Sequence, residues 1–217
     1  MHLELVELLR CPTAHRDSVL VAATGVVHGR FIIQGTLGCP ECGAEFKIVN
    51  GTANFAPESL PRTNASSDAR HDASAAMRLA AQLGLSEGRS AYALVGYSVP
   101  FAIALREIVP ARILTVNPPN VRHAETIFRQ SSSPAGVVVF DERLPLASSK
   151  LDGIAFADSM DDALMIEAVE SLRVGGRLVA PIHEPVPAGM RELVRDDAVW
   201  VAERQVTVSQ PVELRRR

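Results

Sequence analysis

Short apolar runs alternate with amphipathic helical patterns over residues 76–217 of this 217-residue chain, and this alternation constrains its fold more than any other feature. Runs such as 91–95 (AYALV) and 136–140 (GVVVF) are almost wholly apolar, which is typical of strands buried on both faces. Strands separated by helices form parallel sheets, because each helix carries the chain back across the sheet. The sequence therefore predicts an α/β fold built on a Rossmann-like parallel sheet.

Apolar periodicity and turn residues predict the order of elements in this segment. Strands are predicted at 91–95, 112–116, 136–140, 151–157 and 177–181, and helices at 75–83, 99–108, 121–130, 161–173 and 188–195. Two further strands, at 198–206 and 208–214, are predicted to form an antiparallel pair at the C-terminal edge of the sheet.

Residues 1–56 lack the alternation of strands and helices that is predicted for residues 76–217. They contain three strand candidates, at 19–22, 29–34 and 44–49, and a turn at Asn50-Gly51. Residues 57–75 are rich in Pro, Ser, Asn, Asp and Ala, without apolar periodicity, and are predicted to be a linker. The predicted organisation is a β-rich module (1–56), a linker and an α/β domain (76–217). A module this small buries little apolar surface, so it needs a metal or a partner for stability.

All three cysteines lie in the N-terminal segment, in a pattern typical of a metal site. Cys39 and Cys42 form a Cys-x-x-Cys knuckle, which binds one ion from one side. Cys11 begins a first knuckle whose second thiol is missing, so that His15 is the best fourth ligand and Asp17 the alternative. Four such ligands predict a closed, structural zinc site with no open position for catalysis. The competing interpretation is a small β domain with three reduced thiols and no metal.

The segment 2–56 resembles the Trm112-like zinc-ribbon family. The resemblance rests on "LELVELLRCP" and on "GCPECGAEFKIVNGTANF", which match the leading knuckle, the second knuckle and the following strand and turn. The sequence departs from the family at Ala14, where the family usually has the second cysteine of the first knuckle. The resemblance implies a small partner and activator of methyltransferases that binds through an exposed apolar face and a strand.

Residues 76–217 resemble class I methyltransferases, the seven-stranded fold that binds S-adenosylmethionine. The match is best over "VVVFDERLPLASSKLDGIAFADSMDD" and "EAVESLRVGGRLVAP". Asp141 stands where the family has an acidic residue after strand three, and the resemblance implies that it contacts the adenine amino group. Asp152 opens the fourth strand and Gly175-Gly176 forms the turn into the fifth.

The first cofactor loop departs from the methyltransferase pattern. The family places an acid two residues before Gly-x-Gly-x-Gly, whereas this chain has Leu94 for the acid and Ser98 and Pro100 for two glycines, so that only Gly96 remains. Asn117 stands where the family has an acidic residue that accepts hydrogen bonds from both ribose hydroxyls. An uncharged amide is a poorer acceptor for two such bonds. The resemblance implies that any cofactor contacts come from Gly96, Asn117 and Asp141.

Other polar residues near the predicted strand ends have two interpretations each. His183-Glu184 is either an acid–base pair at the sheet edge or a solvated loop, and the loop is favoured. Asp158, Asp161 and Asp162 either contact a substrate or cap the next helix, and capping is favoured.

Composition narrows the functional classes. The 22 Lys and Arg against 25 Asp and Glu give a net charge of −3, which argues against a general nucleic-acid binder. The sequence contains no apolar run of 18 residues, so no membrane-spanning helix is expected. Its first residues are not a basic stretch followed by an apolar one, so no signal peptide is expected. Its few cysteines, two of them in a Cys-x-x-Cys pattern, favour a reducing cytoplasm.

Three functions remain open after the sequence analysis. The leading hypothesis is a methyltransferase-like protein with a degenerate cofactor loop that acts as a zinc-stabilised binding or scaffold protein. An active methyltransferase with an atypical cofactor site is the first alternative. A pure interaction subunit of a larger complex is the second. A protein partner or a homo-oligomer is expected, and no catalytic residue is assigned.

Overall fold

A computed structural model of the protein describes residues 1–15, 17–56, 73–120 and 135–206. These ranges contain one 3-10 helix (Leu3–Leu8) and the α-helices α1 (Ala73–Leu83), α2 (Val99–Ile108) and α3 (Asp162–Ser171). The strands are β1 (Val21–His28), β2 (Phe31–Gly38), β3 (Glu45–Val49), β4 (Thr52–Asn54), β5 (Ala91–Val95), β6 (Arg112–Val116), β7 (Ala135–Val139), β8 (Leu151–Phe156), β9 (Leu172–Pro181), β10 (Met190–Arg195) and β11 (Val199–Arg204).

All eleven strands belong to one sheet, in the order β1-β2-β3-β4-β7-β6-β5-β8-β9-β11-β10. The central strands β7, β6, β5, β8 and β9 are parallel, and their order reverses direction between β5 and β8, as in doubly wound sheets. Strand β11 then pairs antiparallel with β9, and β10 pairs antiparallel with β11. The predicted Rossmann-like sheet with an antiparallel C-terminal edge is confirmed.

One predicted helix is wrong. Residues 188–195 were expected to be helical, but Met190–Arg195 is the edge strand β10. Gly189 has a φ of +82°, which turns the chain into the strand, and Arg195 pairs with Trp200 at the other end. Local apolar spacing in so short a segment fits either conformation, and the pairing with β11 decides it. The predicted helix 121–130 and strand 208–214 lie outside the described residues, as does most of the predicted linker.

The N-terminal strands continue the central sheet. Strands β1 to β4 form an antiparallel meander, with a turn at Asn50-Gly51 as expected. Strand β4 then pairs in parallel with β7, and Thr52 lies opposite Val137. The two segments distinguished in the sequence therefore share one hydrogen-bonded sheet.

The 3-10 helix packs against the sheet at a glycine. Leu5 and Leu8 are buried beneath it, in the same core cluster as Leu114 of β6. A Cβ atom at Gly136 would stand 2.7 Å from Met1 Sδ and 2.9 Å from Leu5 Cδ1. Only a residue without a side chain lets the helix approach β7 this closely.

A buried arginine links the first cysteine knuckle to the α/β part of the chain. Arg10, next to Cys11, is only 6% exposed. Its guanidinium lies 3.7 Å from Glu170 and 4.0 Å from Glu167, both on α3, and 4.0 Å from Asp17. Because a buried charge is costly without partners, this contact holds the knuckle against α3. None of the described helices has the length and apolarity needed to span a membrane.

Candidate functional site

A cavity of about 370 Å³ opens at the carboxyl ends of the central strands. It lies where the strand order reverses between β5 and β8, which is where ligands bind in open α/β sheets. Its walls come from the ends of β5, β6, β7 and β8 and from the start of α3. The lining residues are Val95, Gly96, Asn117, Phe140, Asp141, Phe156, Asp158, Ser159, Met160, Asp161 and Leu164. We call this cavity the switch-point cavity.

The three residues predicted to contact a cofactor all line this cavity. Gly96 follows β5, Asn117 follows β6, and Asp141 lies two residues beyond the end of β7. The carboxyl ends of parallel strands meet at one edge of a sheet, which brings residues distant in sequence into one place. The structure thus groups Gly96, Asn117 and Asp141, as the sequence analysis expected.

Gly96 allows two loops to approach each other closely. Its φ of +78° is a conformation that side-chain-bearing residues seldom adopt. A Cβ atom here would stand 3.3 Å from the Cβ of Ala157 and 3.5 Å from Oδ2 of Asp158. The glycine therefore keeps the floor of the cavity open between the ends of β5 and β8.

The side chain of Asn117 is bound to the backbone of Phe140. Its Oδ1 accepts from the Phe140 N–H at 2.9 Å, and its Nδ2 donates to the Phe140 carbonyl at 3.1 Å. Its φ of +45° is one that asparagine tolerates better than most residues. Asn117 thus acts as a clasp between the ends of β6 and β7, a role that the sequence analysis did not foresee.

Asp141 stands between the switch-point cavity and the N-terminal segment. It also lines a second cavity of about 270 Å³, together with Pro12, Thr13 and Phe55. Pro12 and Thr13 belong to the first cysteine knuckle, and Phe55 follows β4 directly. The N-terminal segment therefore forms one wall of a cavity that shares Asp141 with the switch-point cavity.

Three carboxylates line the switch-point cavity, and no Lys or Arg is among its described lining residues. Asp161 caps α3, because its side chain accepts from the Leu164 N–H at 2.8 Å. Asp158 faces Tyr97: burial raises the pKa of the Tyr97 phenol, and the Asp158 charge raises this pKa further. The cavity is therefore acidic. Asp161 is engaged as a helix cap, which leaves Asp141 and Asp158 as the other two carboxylates of the lining.

A histidine contacts the rim of the same cavity. His183 Nε2 lies 2.5 Å from Ser159 Oγ and 3.5 Å from Glu184 Oε1. Both contacts involve the same ring nitrogen, so the three side chains do not form a serine–histidine–acid relay, in which the acid bonds to the second nitrogen. The sequence indicates His183 and Glu184 as candidates, whereas no local motif indicates Ser159.

The four predicted metal ligands form one cluster. The ligand atoms of Cys11, His15, Cys39 and Cys42 all lie within 4.8 Å of one another. Cys11 and Cys39 are buried, and Cys42 is exposed. The alternative ligand Asp17 is directed elsewhere, because its carboxylate contacts Arg10 and accepts from the Ser148 N–H at 3.3 Å. Of the two candidates for the fourth position, the structure places His15 in the cluster.

The distances in this cluster fit a tetrahedral zinc ion. Bonds of about 2.3 Å to sulfur and about 2.0 Å to nitrogen separate two thiolates by about 3.8 Å, and a thiolate from a nitrogen by about 3.5 Å. The Sγ atoms of Cys11 and Cys42 are 3.8 Å apart, and Cys39 Sγ lies 3.5 Å from His15 Nε2. The donor set and its spacing therefore suit zinc.

Two features around the cluster favour metal binding. His15 Nδ1 lies 3.3 Å from Glu41 Oε2, the carboxylate contact that commonly orients a metal-binding imidazole. Burial alone would raise the pKa of the Cys39 thiol, but hydrogen bonds from the backbone of Cys42 and Glu41 and from the side chains of Cys42 and Ser18 together lower this pKa to about 6. The thiolate, which is the form that binds metals, is therefore favoured at neutral pH.

Comparison with protein-family models found no match, and neither did comparison with characterised protein sequences. Comparison with solved structures found S-adenosylmethionine-dependent methyltransferases. A putative one from Methanococcus maripaludis is 13% identical, with a TM-score of 0.48 over 64% of this chain and 86% of that chain. The Haloferax volcanii complex between the Trm112 methyltransferase activator and a putative methyltransferase matches at 20% identity and a TM-score of 0.42, over 48% of this chain and 50% of that chain.

Proposed function

We propose that this chain is a methyltransferase-like protein that has lost methyl transfer and acts as a binding or scaffold protein stabilised by zinc. The observation that carries this proposal is the clasp between Asn117 and Phe140. Both polar atoms of the Asn117 amide bond to the Phe140 backbone. The side chain at the family's ribose-binding position therefore links the ends of β6 and β7, and its polar atoms are not available to a ribose.

The remaining loop positions support the loss of tight cofactor binding. Leu94 replaces the acid that precedes the glycine loop and is fully buried in the sheet. A ribose diol is held best by a charged acceptor that takes both hydroxyl hydrogens, and neither Leu94 nor Asn117 carries a charge. Gly96 and Asp141 alone offer too few contacts for a cofactor that other methyltransferases hold with a complete glycine-rich loop.

The position of the N-terminal segment supports a structural role for this segment within the chain. Members of the Trm112-like family, which residues 2–56 resemble, are separate small proteins that bind methyltransferases through an exposed apolar face and a strand. In this protein β4 pairs with β7, and the 3-10 helix covers β7 at Gly136. The surface that would activate another protein is thus engaged within the chain, where it stabilises the central sheet.

A calorimetric titration of the zinc-loaded protein with S-adenosylhomocysteine tests the proposal. We expect no measurable binding, since micromolar affinity requires about 8 kcal/mol of binding free energy. Micromolar binding that weakens in Asp141→Ala, but not in the surface control Asp197→Ala, would overturn the proposal and establish a working cofactor site.

An active methyltransferase with an atypical site is the second candidate. The acidic lining of the switch-point cavity favours it, because S-adenosylmethionine carries a sulfonium and an ammonium group against one carboxylate. The contact between Ser159 and His183 at the rim would supply a base for a methyl acceptor. The same titration separates the two candidates, because this one requires the cofactor to bind.

Self-association through β1 is the partner mode that we propose. Strand β1 is the outermost strand at its end of the sheet and contains no Lys, Arg, Asp or Glu. Val21, Val26 and Val27 on it are exposed, whereas the opposite edge strand β10 carries Arg191, Glu192 and Arg195. Charges on an edge strand discourage pairing between copies, and β1 lacks them.

Light scattering over a range of protein concentrations tests this partner mode. We expect a dimer that Val26→Lys converts to a monomer, whereas Val194→Lys on β10 leaves it unchanged. A wild-type monomer at every concentration would refute self-association and would leave a heterologous protein as the partner.

A further inference from the structure

A third and larger cavity lies at the opposite edge of the sheet from the switch-point cavity. It has a volume of about 510 Å³ and is bounded by the 3-10 helix, the loop before β5 and the loop between α2 and β6. Its walls come from both segments of the chain, with Leu3 on one side and Pro110 on the other. A volume of this size is typical of sites for small organic ligands.

Four arginines line this cavity, although the chain as a whole is acidic. Two of them are paired with glutamates that also line it. Arg30 Nη2 lies 2.8 Å from Glu4 Oε1, and Arg112 Nη1 lies 2.5 Å from Glu7 Oε1. These pairs neutralise two of the four positive charges.

The other two arginines, Arg89 and Arg106, have no acidic partner among the described residues. Arg106 is half-buried at the end of α2, and only its Nε is engaged, donating to the Ala111 carbonyl at 3.0 Å. Burial lowers the pKa of Arg106, which reflects the cost of holding this charge away from water. Arg89 and Arg106 therefore bring to the cavity two positive charges that no described acidic side chain neutralises.

The backbone around Arg89 holds the loop in place. The Arg89 carbonyl accepts from the guanidinium of Arg112, with Nε at 3.1 Å and Nη2 at 2.5 Å. Arg112 thus bridges Glu7 of the 3-10 helix and the loop before β5. The loop that carries Arg89 is therefore connected through Arg112 to the 3-10 helix on the other side of the cavity.

We infer that this cavity binds a small phosphate monoester, with Arg89 and Arg106 contacting the phosphate. A planar guanidinium donates two parallel hydrogen bonds to phosphate oxygens, and two such groups match a dianion. The volume beyond the phosphate accommodates an organic group of nucleoside size against Leu3 and Pro110. This site is separate from the switch-point cavity and does not depend on the proposed loss of methyl transfer.

Titration of the zinc-loaded full chain with adenosine 5′-monophosphate, inorganic phosphate and adenosine, at constant ionic strength, tests the inference. We expect the monophosphate and inorganic phosphate to compete for one site and adenosine not to bind. Arg89→Gln and Arg106→Gln should each weaken binding about tenfold, because each removes a charged hydrogen-bond donor. Arg191→Gln is the control, since Arg191 lies on β10 and pairs with Glu203.

Three results would overturn the inference: no binding of either phosphate compound, an equal weakening in Arg191→Gln, or adenosine binding as tightly as its monophosphate. Arg89 is exposed, so Arg89→Gln keeps the test decisive even if Arg106→Gln fails to fold. Asp141→Ala should leave phosphate binding unchanged, which separates this site from the switch-point cavity.

Discussion

Leu5 lies directly over Gly136, with its Cδ1 2.9 Å from the position that a Cβ atom of residue 136 would occupy. The first residue belongs to the N-terminal 3-10 helix and the second to the central strand β7. This contact packs the N-terminal segment directly against the central sheet. It explains why a strand interior carries a glycine despite the conformational cost.

Gly136→Val should destabilise the protein, because the added methyl groups collide with Met1, Leu5 and Leu114. Overpacking of this kind costs about 1–3 kcal/mol. Urea unfolding monitored by Trp200 fluorescence measures the change. Gly38→Ala is the control, since its Cβ would meet nothing nearer than the Val21 carbonyl at 4.0 Å. Equal stability of the two variants would contradict the close packing.

Asn117→Gly should cost about 1–3 kcal/mol of unfolding free energy, because the Phe140 N–H and carbonyl lose their partners. Glycine tolerates the positive φ at this position, so the change isolates the side-chain hydrogen bonds from backbone strain. Ser149→Gly, at another positive-φ residue whose hydroxyl accepts one exposed hydrogen bond from Arg204, should change stability less. A neutral Asn117→Gly would mean that the clasp contributes nothing to the sheet.

Cys39→Ser should release the metal and lower the melting temperature, because a structural site with three ligands binds zinc weakly. Metal content per chain after dialysis and thermal unfolding with and without a chelator measure both effects. Glu41→Gln is a second variant with a smaller expected effect. It removes the carboxylate that contacts His15 but keeps all four ligands, so zinc affinity should fall about 10–100-fold. Unchanged metal content and melting in Cys39→Ser would refute the zinc site.

The phenol of Tyr97 should ionise at higher pH than an ordinary tyrosine, because burial and the Asp158 charge both raise its pKa. The folded pKa lies above the unfolded one, so this group's contribution to stability is present below pH 10.0 and is lost as pH rises through the folded pKa. Phenolate absorbance during alkaline titration follows the ionisation, and Tyr97→Phe identifies its transition.

Asp158→Asn should lower the pKa of Tyr97, whereas Asp141→Asn, in the same cavity, should leave it unchanged. An identical titration in wild type and Asp158→Asn would show that the carboxylate does not face the phenol.

Features encoded by local spacing were accessible from the sequence. The Cys-x-x-Cys knuckle and the apolar runs of the central strands depend on residues close together in the chain, so periodicity and turn chemistry predict them. The parallel sheet with an antiparallel edge follows from the alternation of those runs with helices. The resemblance to class I methyltransferases implied the grouping of Gly96, Asn117 and Asp141, which line one cavity in the structure.

Only the tertiary structure decided the features that depend on pairing between distant residues. These are the parallel contact of β4 with β7, the strand at 190–195 in place of a helix, the choice of His15 over Asp17 in the cysteine cluster, and the clasp of Asn117 on Phe140. In each case the local sequence permits more than one outcome. The choice between them comes from hydrogen bonds and burial that exist only once the remote segments have met.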